Sequence, residues 1–128
     1  MRALLDTHAF LWFIAGSDKL STAARDMIAD LDNELFLSVA SLWEIAIKVS
    51  IGKLDLSRPF EELIPDQLKE NEISTVSIEL DHLSETIKLP FHHRDPFDRL
   101  IIAQGIVEGL PIISSDPVFA EYPVKVVW

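Results

Sequence analysis

Cysteine is absent from the 128 residues, so disulfides, thiolate chemistry and the common cysteine-based structural zinc sites are excluded. Long apolar runs are missing too. The longest, Ala9 to Ala15, is far too short to span a bilayer, so no membrane is implied. The N-terminus shows no basic and apolar leader and enters the fold directly, and a cytoplasmic location is the expectation. Positive charge is scarce: 11 basic residues face 21 acidic ones, for a net charge of −10. Such a surface repels polyanions and argues against broad, charge-driven binding to nucleic acid. It leaves open a local metal site, whose ion supplies the charge a phosphate needs, and it suits a basic partner.

What is present fits one domain over 1–128. Apolar residues make up 48%, enough to bury a core in a chain of this length. Arg2 to Asp6 reads as a buried strand, Leu35 to Leu37 as a second ended by Ser38, Ile73 to Val76 as a third and Pro111 to Ser114 as a fourth. Val124 to Trp128 reads as an edge strand. Helical patterns lie between them. One follows Asp6 and stops at Gly16. A second opens at Ser21 with Ala24, Met27, Ile28 and Leu31 as its buried stripe. A third runs from Val39 to Ser50, and Phe60 to Asn71 forms another that Pro65 should kink or split. Ile78 to Leu89 is helical with Leu80, Leu83 and Ile87 inside, and Asp95-Pro96 opens a last helix with Leu100, Ile101, Ala103, Ile106 and Val107 on its packed side. Trp12, Trp43 and Trp128 are expected in the core. Strands alternating with helices imply an α/β fold, a three-layer α/β/α sandwich on a mainly parallel sheet of four to five strands.

That topology gathers acids at one edge. Asp6 and Asp116 end buried strands, while Glu44 and Asp98 lie early in helices that leave the same ends. Each has an ordinary explanation: a helix cap for Asp6, a capping-box partner for Asp98, an exposed pair with Lys48 for Glu44. Four uncompensated carboxylates in one pocket repel each other, and the chemistry that calls for them is a hard ion, Mg²⁺ or Mn²⁺. Such an ion activates a water against a phosphate. Hydroxyls of Thr7, Ser38 and Ser114 are placed to steady carboxylates or waters. His92 and His93 are adjacent in a loop with Arg94, which favours contact with phosphate, or plain solvent exposure, over ligation of a metal.

The segments LLDTHAFLW, SLWEIAIK with the following GKL, LPFHHRDPFDRLIIAQ and IISSD together resemble a PIN-domain protein, and specifically the toxin half of a VapBC-type toxin–antitoxin pair. The similarity runs from end to end and in order. It implies a metal-dependent ribonuclease on a PIN-like sandwich, a homodimer, and a small basic antitoxin through which alone DNA would be met. It puts the acidic site on Asp6, Glu44, Asp98 and Asp116, with Ser114 at the hydroxyl position before the last acid and Asp95 in a supporting place. Lys48, Lys53, His92, His93 and Arg94 become the basic rim for an RNA substrate. The competing reading is a non-catalytic binding module whose acidic pocket takes a basic partner peptide. A phosphoryl-accepting receiver domain fails, because it needs a lysine at the end of a late strand and Lys125 begins one.

Overall fold

The computed structural model describes Met1–Trp128. Its centre is β1 (Arg2–Leu5), whose alternating side chains feed two different cores. Ala3 and Leu5 pack on one face with Phe10, Ile28, Leu37 and Ile113. Leu4 packs on the other with Ile101, Ile102, Ile112 and Phe119. β2 (Glu34–Ser38) and β4 (Ile112–Ile113) flank β1, and β3 (Ile73–Val76) and β5 (Val126–Val127) close the edges. The order is β3-β2-β1-β4-β5, and every pairing is parallel. Chain direction across the sheet reverses between β1 and β4, so a crevice opens at their carboxyl ends. This is the α/β/α sandwich the strand and helix pattern implies.

α1 (Thr7–Ala15), α2 (Thr22–Ala29) and α4 (Phe60–Glu70) bring side chains to the first core, and α6 (Pro96–Glu108) lines the second. α3 (Val39–Ser50) reaches both, through Ile45 and Ala40. α1, α3, α6 and a short 3₁₀ helix, Pro117–Glu121, all start at the carboxyl edge, after Asp6, Ser38, Asp95 and Asp116. No helix is long and apolar enough to cross a membrane.

α4 runs as one helix through Pro65, so of the kink or split expected there the split is ruled out. Four expectations need correction. Leu31 is exposed, because α2 ends at Ala29 and Asp30 turns to extended backbone, so the helical period never reaches it. Trp43 is 60% exposed. Trp12 and Trp128 meet edge-to-face at the margin of the first core. The largest departure is α5 (Leu80–Lys88). Leu80 and Ile87 are 80% and 84% exposed, and Leu83 is exposed as well. The stripe exists, but α5 presents its opposite side, carrying buried His82, to α6. His82 Nδ1 accepts the Glu79 N–H at 3.0 Å, so the ring hydrogen sits on Nε2 and donates to Glu108 at 2.8 Å. Val107, at the end of α6, is likewise exposed, while Ile102 takes a core place.

Candidate active site

Asp6 leaves β1 and caps α1, its Oδ1 accepting the Ala9 N–H at 2.6 Å. The next residue, Thr7, is buried and donates its one hydroxyl hydrogen to Glu44 Oε1 at 2.8 Å. Ser41 stands 2.9 Å from the same Thr7 oxygen and so donates to it. Glu44 is buried, and its other oxygen, Oε2, meets Lys48 Nζ at 3.0 Å. Both Glu44 oxygens are therefore engaged, and the partner a buried carboxylate demands comes from its own helix.

Asp95 caps α6, with Oδ1 accepting the N–H groups of Phe97 and Asp98, each at 2.9 Å. Asp98 makes no bond back to the cap. Its Oδ2 lies 3.4 Å from His93 Nε2. Asp116 is exposed and caps the 3₁₀ helix through Oδ1, 3.0 Å from the Val118 N–H. Buried Ser114 accepts the Asp116 N–H at 3.1 Å. Ser38 caps α3 through the Ala40 N–H at 2.9 Å. Capping and membership of the cluster are thus compatible: each cap uses one carboxylate oxygen, and the helix N-terminus steadies the charge.

The charges are unevenly answered. Burial lifts the Asp6 carboxyl above its ordinary value, against hydrogen bonds from Ser114 and Ala9 and the nearby His8. Burial, then the charges of Asp95, Glu44, Asp6 and Asp116, push Asp98 up to about 7. A carboxylate that four others disfavour is one a cation would relieve. The donor set is all oxygen and suits a hard divalent ion by chemistry and charge. No three His, Asp or Glu side chains are set closely enough to hold an ion together, which suits an ion that keeps several waters and takes one or two carboxylates directly.

The PIN-domain family model matches residues 3–125 of this chain. The chain belongs to the PIN-domain family. It is 32% identical over 114 residues to Ribonuclease VapC22 of Mycobacterium tuberculosis (strain ATCC 25618 / H37Rv), covering 88% of this chain and 85% of that protein. Its fold matches that in the crystal structure of VapBC2 from Rickettsia felis bound to a DNA fragment from their promoter, with TM-score 0.74, 15% identity, and 100% and 99% of the two chains covered. It also matches VapBC-1 from nontypeable Haemophilus influenzae, with TM-score 0.66, 15% identity, and 99% and 97% covered.

In this PIN domain the basic candidates separate. Arg94 and His92 are exposed, Arg94 over the Phe91 ring at 5.8 Å and His92 edge-on to Tyr122 at 4.8 Å. Lys53 is exposed, and Lys48 is held by Glu44. His93 is not on the rim. It turns inward between Asp98 and Tyr122. Two residues with no place in the sequence reading organise this loop. Buried Arg99 donates to the carbonyls of Pro90, Thr86 and Leu89, which close the end of α5, and stacks under Phe91 at 4.0 Å. Buried Tyr122 receives the His93 N–H at 3.2 Å. The one available signal was that Tyr122 is the chain's single tyrosine.

Proposed function

We propose that this chain is a ribonuclease that acts in the cytoplasm as the toxin of a type II toxin–antitoxin pair, cleaving RNA with a carboxylate-held Mg²⁺ or Mn²⁺. One observation carries the reading: Asp6, Glu44, Asp98 and Asp116 converge on the carboxyl edge of the sheet, and Asp98 is left without compensating charge. The 32% identity to a protein named a ribonuclease supports the same activity.

Asp6, Asp98 and Asp116 would hold the ion. When bound, it neutralises phosphoryl charge and lowers the pKa of a water at the site. Glu44 is clamped by Thr7 and Lys48, and acts as a fixed acceptor that orients the attacking water. Ser114 steadies Asp6, and Asp95 caps α6 so that its first turn carries Asp98 at the edge. Arg94, His92, Lys48 and Lys53 supply the basic rim for the RNA backbone. Attack by water leaves a 5′-phosphate and a 3′-hydroxyl. The charge of −10 suits a small basic antitoxin, through which the complex would meet DNA. The exposed face of α5 supports a homodimer.

Purified chain incubated with mixed RNA and Mn²⁺ is expected to cut it, and EDTA to stop the cutting. Asp6→Asn retains an oxygen for the cap and is expected to keep the parent's secondary structure by circular dichroism while cleaving nothing. Equal cutting by parent and Asp6→Asn would defeat the assignment. Uncut RNA with the parent, in the presence of Mn²⁺, would favour the binding-module reading.

A further inference from the structure

We propose that His93 is a positioning residue for Asp98, gripping its carboxylate through Nε2–H and itself oriented by Tyr122. This rests on the reading of Asp98 as a metal-site carboxylate. The tautomer follows from the neighbours. Tyr122 Oη lies 3.2 Å from the His93 backbone N–H and 3.4 Å from Arg99 Nη1, and both of these groups can only donate. They occupy the oxygen's lone pairs. The phenol hydrogen is left to point at its remaining neighbour, His93 Nδ1, at 2.8 Å. Nδ1 therefore accepts, and the neutral ring carries its hydrogen on Nε2.

That Nε2–H is enclosed and has no hydrogen-bond partner. Its nearest acceptor is Asp98 Oδ2 at 3.4 Å, beyond the usual N–H···O distance of about 2.9 Å. A movement of about half an ångström by Asp98 closes the bond. The bond occupies one Asp98 oxygen and leaves the other for the site. It also gives Asp98 a donor where its neighbours Asp6, Glu44 and Asp116 are all acids. The grip is anchored in turn. Arg99 holds Tyr122 and the carbonyls at the end of α5, and Tyr122 directly follows the 3₁₀ helix that Asp116 caps. One hydrogen-bonded run thus ties the segments bearing Asp98 and Asp116 together.

Mn²⁺ binding by the full-length chain, read without RNA from the electron paramagnetic resonance signal of the free ion, tests this. His93→Leu should weaken Mn²⁺ binding about tenfold, the lower end of what losing a residue behind a metal ligand does. His93→Gln places an N–H where Nε2 stood and should recover most of that loss. Tyr122→Phe frees the ring to adopt the other tautomer and should fall between. Equal affinities for the Leu variant and the parent, or for the Leu and Gln variants, overturn the proposal. Should His93→Leu fail to fold, Tyr122→Phe decides, and parental affinity in it overturns the proposal. The parent and Asp98→Ala separate the two levels. Mn²⁺ uptake that Asp98→Ala abolishes but His93→Leu leaves intact sinks only the role of His93. No uptake by the parent removes the site reading and this proposal with it.

Discussion

Lys48 Nζ lies 3.0 Å from Glu44 Oε2, one turn along α3, while Thr7 holds the other Glu44 oxygen at 2.8 Å. Glu44 is thereby the one acid of the cluster whose charge is answered within the chain. Lys48 is partly open to solvent, so the pair stands between an exposed bridge and a buried one. Lys48→Met is expected to lower the stability of the EDTA-treated chain by about 1–2 kcal/mol. That corresponds to a drop of about 3–6 °C in Tm for a chain of this size. Mn²⁺ should restore more of the lost Tm than it adds to the parent, because the ion then answers a charge that Lys48 no longer does. A thermal melt with and without Mn²⁺ checks both statements, and an unshifted Tm in EDTA counts against them.

Asp98 gives the metal-free chain a definite pH dependence. Its folded pKa is raised to about 7 by burial and by the neighbouring acids. The folded state therefore binds a proton that the unfolded state has released between the ordinary carboxyl value and about 7. This contribution to stability is complete below the ordinary value and is lost as pH rises through 7. The raised Asp6 acts with the same sign. Asp98→Asn removes the charge altogether. In EDTA it should melt above the parent at pH 8 and lose that advantage by pH 5. Conversely, proton and ion compete for Asp98, so Mn²⁺ affinity should fall by up to about tenfold per unit as pH drops below 7. Parallel pH profiles for Asp98→Asn and the parent would contradict this.

What could be read ahead of the structure was whatever depends on short spans. Buried strand ends identified Asp6 and Asp116, and Asp95-Pro96 identified the start of α6. Cap and site are rival explanations of Asp6 in the sequence, yet capping consumes only Oδ1 and leaves Oδ2 for the proposed site. Long-range pairing escaped. Nothing near Leu80, Leu83 and Ile87 says which side of α5 is covered. The answer lies with Glu108, 26 residues after His82, which accepts the His82 hydrogen and makes the polar side the buried one. The sequence puts His93 on the rim for the same reason, since Tyr122 is 29 residues beyond it. Amphipathic periodicity locates a stripe, and only the partner fixes its direction.

Gly105 sits in α6 where the helix crosses β4. A methyl group there would stand 3.1 Å from Ile112 Cδ1, the Leu110 carbonyl and Val124 Cγ2. Alanine raises helix propensity by about 1 kcal/mol over glycine in an open helix. Two of these neighbours are side chains, but the carbonyl belongs to the turn that leads into β4 and yields least. Overpacking of this kind costs about 1–3 kcal/mol, so Gly105→Ala should come out neutral to destabilising by about 2 kcal/mol despite the propensity gain. Urea denaturation measures the balance, and a stabilised variant would show that the turn gives way.

The outer face of α5 leads to a prediction about assembly. Ile87, Leu83 and Phe91 are exposed and continue into a groove of about 510 Å³ with Trp43, Phe97 and Leu100. Scattered apolar side chains on a surface are ordinary, but a contiguous set marks a contact. The groove holds no carboxylate, so a basic antitoxin segment finds no charge there to pair with. A second copy of the chain brings the same apolar surface, as a twofold interface requires. The parent is expected to elute, by light scattering, at twice 14.5 kDa. Leu83→Asp with Ile87→Asp should elute as the monomer. Ile87 touches little of its own chain, so secondary structure by circular dichroism should match the parent's. A parent that is already monomeric, or a doubly substituted chain that stays dimeric, would move the interface elsewhere.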